Sequence, residues 1–276
     1  MPFVTRDGRQ SWKSWMRVIG KLGELVWAQC DELRHAAAVI GTVLGVCVQP
    51  RNWARPVWKL FARQVLSVGV EPVWFVCGMA LFVGMSVVVQ LGFWTGEAGQ
   101  SQLLGPLLVA VVARELGPLL TNIVVIVRSS SAMATELGVL KITGDVRTLE
   151  RQGNDPFLHL VMPRVLGVAL STFCLTIVFI LVAFASGYLF GAWLGKGSRD
   201  VWLFTNTLLN ALHPQDMAAI VAKSTLPALF TSASCCIGGL GVRSVTDIPR
   251  ATQRALTRSI AGLFMISAVV SLLSYL

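Results

Sequence analysis

Val165 to Leu194 reads VLGVALSTFCLTIVFILVAFASGYLFGAWL and contains no charged side chain. A helix rises about 1.5 Å per residue, so this run is longer than the roughly 30 Å hydrocarbon core of a bilayer requires and can cross it tilted. Four further runs share its character. Val73 to Trp94 is uncharged, Leu103 to Val127 holds Arg114 and Glu115, Met217 to Leu240 holds Lys223 and Pro227, and Ile260 to Leu276 is the shortest. Backbone polar groups in lipid have to be satisfied within their own segment, so the five runs predict an all-α membrane protein with five transmembrane helices. Composition points the same way: 54% hydrophobic and only 13% charged residues, with a mean hydropathy of +0.68, exclude an ordinary soluble domain.

The formal net charge of +9 would raise nucleic-acid binding in a soluble chain, but its placement assigns it to topology instead, and no nucleic-acid partner is expected. Arg6, Arg9, Lys13, Arg17, Lys21, Arg34, Arg51, Arg55, Lys59 and Arg63 precede the first run. Lys141, Arg147, Arg151 and Arg164 lie between the second and third, and Arg243, Arg250, Arg254 and Arg258 between the fourth and fifth, whereas the opposite loops carry only Lys196 and Arg199. The positive-inside rule then predicts a cytoplasmic N-terminus and an outward C-terminus. Residues 1–66 read as a cytoplasmic and interfacial region and residues 67–276 as the membrane domain. Ala36 to Val48 is too short and too far along the chain for a cleavable signal and reads as a half-inserted helix. From Trp53 to Val65, Trp58, Phe61 and Val65 fall opposite Arg55, Lys59 and Arg63, a basic amphipathic pattern that lies along headgroups.

A charged side chain within a span costs about 2.5 to 3.5 kcal/mol, so Arg114, Glu115 and Lys223 require partners or water. Two readings are open: internal ion pairs that fix helix packing, or a polar lining that meets a ligand headgroup, with Glu115 holding an arginine by a charge-assisted hydrogen bond. Pro118 removes one amide donor beside these charges and frees a carbonyl. In the third run Ala183, Gly187, Gly191 and Gly195 recur every fourth residue, the small-residue pattern that lets helices approach closely in lipid. The stretch Ser129 to Arg164 reads as a long polar loop. Within it, Asp145 to Leu158 is expected to form a short helix ended near Pro156, whose Arg147, Glu150 and Arg151 beside Leu149 present either a docking surface or a solvated face.

No catalytic site is legible. There is no GxxxxGK[ST] phosphate loop, since Gly195-Lys196 is followed by Gly197 and lacks the upstream glycine. There is no HExxH, and His35, His159 and His213 stand far apart without ligand companions. The cysteines (Cys30, Cys47, Cys77, Cys174, Cys235, Cys236) form no CxxC pair and read as packing thiols. The expectation is a chain that is no enzyme and binds no cofactor of its own.

The run ARELGPLLTNIVVIVRSSSAMATELGVLKITGDVRTLERQGNDPFLHLVMPR, Ala113 to Arg164, resembles the central signature of MlaE-type permeases, the membrane subunits of MCE-associated ABC lipid transporters. RQVLSVGV (Arg63 to Val70), the first span through Gln90, and IPRATQRAL (Ile248 to Leu256) extend the resemblance over roughly residues 50 to 276. It implies a multi-pass permease of a bacterial inner membrane that moves phospholipid or a related lipid. The implied partners are a second copy of the chain, a pair of ABC ATPase subunits that bind the ATP, a periplasmic ring of MCE-domain proteins and a small cytoplasmic accessory protein. It places the family's intramembrane arginine-glutamate pair on Arg114 and Glu115, its first-span glutamine on Gln90 and its fourth-span lysine on Lys223, together lining or supporting a lipid cavity built by two copies from the first, second and fourth spans. It places the ATPase-coupling element on Lys141, Asp145, Arg147, Glu150, Arg151, Gly153 and Pro156.

Two stretches depart from the family pattern: Val127, Ser129 and Ser130 stand beside Arg128 where glycines are usual, and Gly238 to Ser244 lacks the Gly-Tyr-Asp and Pro-Thr elements. Without the resemblance, two other functions fit the same residues, an ATP-independent carrier that uses Glu115 as an ion site and a membrane scaffold that does not transport.

Overall fold

The computed structural model describes residues 34, 37–43, 45–47, 55–97, 104–153, 155–193 and 201–275. Among these residues there is no strand, and five helical segments are long and apolar enough to cross a membrane, as the sequence predicts. From Arg55 onward the helices are α1 (Arg55–Val65), α2 (Val73–Glu97), α3 (Pro106–Thr143), α4 (Asp145–Arg151), α5 (Phe157–Trp193), α6 (Val201–Ala211), α7 (Pro214–Leu240) and α8 (Ile248–Tyr275). The expectations for Arg6 to Lys21, Cys30, His35, Arg51, Trp53, Leu103, Gly195, Lys196, Arg199 and Leu276 fall outside the described residues. Residues 37–43 and 45–47 are helical, and Val43, fully buried, packs with Leu137, Val165 and Leu229.

The helices outrun the apolar stretches that announced them. The expected loop from Ser129 is mostly helix, because α3 continues past Val127 to Thr143 with Ser129, Ser130, Met133, Ala134, Leu137 and Gly138 keeping one buried stripe. This three-to-four-residue spacing holds the helix together after the hydropathy has fallen. Gly144, at φ 86°, ends it in the left-handed conformation that glycine adopts at helix termini. Likewise α5 starts at Phe157 and not at Val165, and α8 starts at Ile248, a turn beyond the arginine-rich loop's beginning and well before Ile260.

The short helix expected over Asp145 to Leu158 is α4 alone, seven residues long. Pro156 does not end it; it sits at the start of α5, where the missing N–H is one of the donors a helix leaves unpaired anyway.

Close approach between spans follows the small residues. A Cβ at Gly84 of α2 would strike the Ala183 carbonyl and the Ser186 hydroxyl of α5, and one at Gly187 would come within 2.7 Å of Val88. The Ala183, Gly187, Gly191 repeat is therefore the face on which α2 rests. The main core gathers Val112 and Val124 of α3, Leu175 and Phe179 of α5, and Ala228 and Cys235 of α7. Cys77, Cys174, Cys235 and Cys236 are free thiols.

Candidate functional site

Four charged side chains meet where α3 crosses α7. In α3, the segment Val109–Leu116 winds with wider i→i+5 turns, and the N–H of Gly117 reaches the carbonyl of Val112. Such π-type stretches are frequent at functional sites. Arg114 and Glu115 lie at its end. Neighbours in sequence, they leave the helix on different sides and are not paired with one another. Glu115 accepts from Nζ of Lys223 at 2.6 Å and from Oγ of Ser271 in α8 at 3.1 Å. Arg114 donates through Nη2 to Oδ2 of Asp216 at 2.7 Å. The expected arrangement, in which Glu115 holds an arginine, is thus corrected: Glu115 holds Lys223, and Arg114 has its own carboxylate.

Asp216 also accepts from the backbone N–H of His213 at 2.9 Å, so one buried carboxylate both starts α7 and neutralises an arginine. The sequence reading missed it because an acid in the first turn of a helix has an ordinary local explanation. Its signal was the charge balance: two cations and one carboxylate leave a surplus that lipid penalises.

Two prolines shape the crossing. Pro118 cannot donate to the carbonyl of Arg114, four residues back, and Lys223 Nζ fills that vacancy at 3.0 Å. Pro227 of α7 cannot donate to the carbonyl of Lys223, and Nδ2 of Asn122 in α3 fills it at 3.2 Å while also reaching the Pro118 carbonyl at 2.8 Å. Each helix therefore satisfies the carbonyl that the other helix's proline leaves open, the condition for a proline within a span. Asn122 is 1% exposed and was not singled out by sequence.

The pairs are accessible from one side only. The Lys223 and Asp216 side chains are 3% and 5% exposed, whereas Glu115 and Arg114 retain 39% and 26%. Gln90 is not brought to them; it is exposed on α2 and makes no hydrogen bond with the cluster. Beside the charges, Ala113, Met217 and Ile220 line an apolar cavity of about 700 Å³ walled by α5, α6 and α7, with Ile177, Phe184 and Leu208 among its residues. This cavity belongs to a single copy of the chain and uses the third span, which the sequence reading had left out of the cavity walls. A space of this size and polarity suits hydrocarbon.

At the far end of α3, α4 buries Val146 and exposes Asp145, Arg147, Glu150 and Arg151, while Lys141 is exposed just before it and Gly153, at φ 77°, turns the chain after it. Ser129 and Ser130 are buried and Val127 is exposed; Arg128 pairs with Glu71 at 3.0 Å. In the second departing stretch, Gly239 lets α7 approach α3, its position 2.8 Å from the Ala134 carbonyl for an added Cβ.

Comparison with known proteins covers the same region of the chain. The family model described as Permease MlaE matches residues 61–273, which take in α2 to α7, all but the last two residues of α8 and the whole charge cluster. An Arabidopsis thaliana chloroplast protein, TRIGALACTOSYLDIACYLGLYCEROL 1, is 28% identical over 78% of this chain, which spans 61% of that protein's length. The Haemophilus influenzae intermembrane phospholipid transport system permease protein MlaE is 30% identical over 68% of this chain and 75% of its own. A probable ABC transporter permease protein from Rickettsia prowazekii is 27% identical over 73% and 77%. The five membrane-spanning helices and the match across 61–273 make this multi-pass chain a member of the MlaE permease family.

Proposed function

We propose that this chain is the membrane subunit of an ABC transporter that moves phospholipid, or a related lipid, between a bacterial inner membrane and a periplasmic MCE-domain partner. The observation that carries the reading is the family match over 61–273, which includes an intramembrane cluster left open on its Arg114 and Glu115 side. Two copies, with the N-terminus cytoplasmic, form the lipid path. Arg114 offers a guanidinium to an anionic headgroup, Lys223 and Asp216 hold Glu115 and Arg114 in place, Gln90 faces the second copy, and acyl chains meet the apolar walls. The exposed charges of α4, with Lys141, Gly153 and Pro156 at its margins, dock onto an ATPase subunit that supplies the ATP-driven motion. A small cytoplasmic accessory protein completes the assembly.

The test is purification of the tagged chain in mild detergent, with co-eluting proteins and lipids identified by mass spectrometry. An ABC ATPase, an MCE-domain protein and a stoichiometric lipid are expected. A chain that elutes without an ATPase and moves lipid by itself in liposomes would replace this reading with a carrier.

A further inference from the structure

A second pocket, of about 580 Å³, lies outside the charge cluster, where α1 passes the lower part of α3 and the start of α5. Its lining includes Arg63, Ser67, Ser131, Thr135, Glu136 and Arg164. Arg164 is 2% exposed, an unusual state for an arginine. Its Nη2 donates to Oε2 of Glu136 at 3.0 Å, but Nε and Nη1 are buried with no acceptor among the described residues. A buried guanidinium with two donors that no described residue meets calls for a further acceptor.

The charges define that acceptor. Glu136, with a side chain 57% exposed, neutralises one of the two arginines and repels an anion at the rim. Arg63, exposed on α1, leaves the pocket one positive charge in excess. The hydroxyl of Ser67 makes no hydrogen bond among the described residues and adds a donor.

Depth in the membrane narrows the choice further. Ser67 precedes the first apolar run, Arg164 directly precedes the third, and Ser131 follows the second. All three helices therefore place the pocket at the level where hydrocarbon gives way to headgroups. Trp58 of α1 and Leu66, the residue after its end, are exposed.

We propose that this pocket binds the phosphate group of a phospholipid headgroup, held by Arg164 and Arg63 with the Ser67 hydroxyl, as a site separate from the cavity beside Arg114. The bound phosphate would tie α1 to α3 and α5, the two spans that frame it.

The test follows thermal unfolding of the full chain in non-ionic detergent by tryptophan fluorescence. It is titrated with dihexanoyl phosphatidylglycerol, with inorganic phosphate, and with dihexanoylglycerol as the phosphate-free control. Stabilisation by the phospholipid is expected, with apparent affinity at least about tenfold weaker in Arg164→Gln and Arg63→Gln, the size of one lost charge-assisted hydrogen bond. Lys59→Gln, on α1 but outside the pocket, should leave it unchanged. Equal stabilisation by inorganic phosphate identifies phosphate alone as the ligand, and stabilisation by the phospholipid only identifies the headgroup with its glycerol body. If Arg164→Gln does not fold, Arg63→Gln and Ser67→Ala carry the comparison. Stabilisation by neither phosphate compound, by dihexanoylglycerol equally, or to the same extent in the arginine variants overturns the proposal.

Discussion

Lys223 of α7 donates to α3 twice, to the Glu115 carboxylate at 2.6 Å and to the Arg114 carbonyl at 3.0 Å. The second bond exists because Pro118 has no N–H to offer that carbonyl. A single ammonium thus closes an ion pair and repairs a proline-opened turn, and these two tasks can be separated by substitution.

Lys223→Met should destabilise the chain by about 2 to 4 kcal/mol, since it strands a carboxylate and a backbone carbonyl together. Thermal melts in detergent read the loss. Adding Pro118→Ala supplies an N–H to the carbonyl and should recover about 1 kcal/mol; no recovery would mean that the carbonyl bond contributes nothing.

Asn122→Leu should cost about 1 to 2 kcal/mol in the parent, because the Lys223 carbonyl opposite Pro227 loses its donor. In a Pro227→Ala background, where the helix repairs itself, the same substitution should cost clearly less. Equal costs in the two backgrounds would show that Asn122 and Pro227 act independently.

Asp216 carries two interactions that two variants distinguish. Asp216→Asn can still accept from the His213 N–H but cannot neutralise Arg114, whereas Asp216→Ala loses both. We expect the alanine variant to be less stable than the asparagine variant by about 1 kcal/mol, the worth of a helix cap. Identical melting temperatures would remove the capping role.

Gly84→Val should prevent α2 from seating on α5, because its side chain would enter the space of Ala183 and Ser186. A destabilisation of roughly 3 kcal/mol or loss of the folded chain is expected. Gly78→Ala, with open space around the added atom, is the control and should fold as the parent does.

On α4, Arg147→Glu combined with Glu150→Lys keeps the net charge and touches only exposed positions. The melting temperature should hold within about half a kcal/mol of stability, while lipid-dependent ATP hydrolysis by the assembled transporter should fall at least about tenfold. Unchanged hydrolysis would locate the ATPase contact elsewhere.

Sequence alone determined that this is a five-span helical membrane protein, because lipid leaves the backbone few alternatives and an uncharged run such as Val165 to Leu194 has one reading. It also determined that Arg114, Glu115 and Lys223 require partners within the span and that the Ala183 and Gly187 face is for packing, since both follow from residue type and spacing. Helix ends were less legible: hydropathy stops at Val127, but α3 does not, because its buried stripe continues against other protein and not against lipid. Only the tertiary structure decided who pairs with whom. Asp216, Asn122 and Ser271 come to Arg114, Lys223 and Glu115 from more than 90 residues away, and an ion pair or a filled carbonyl is a property of distance in space, which the angle at which α3 crosses α7 sets and which spacing along the chain does not encode.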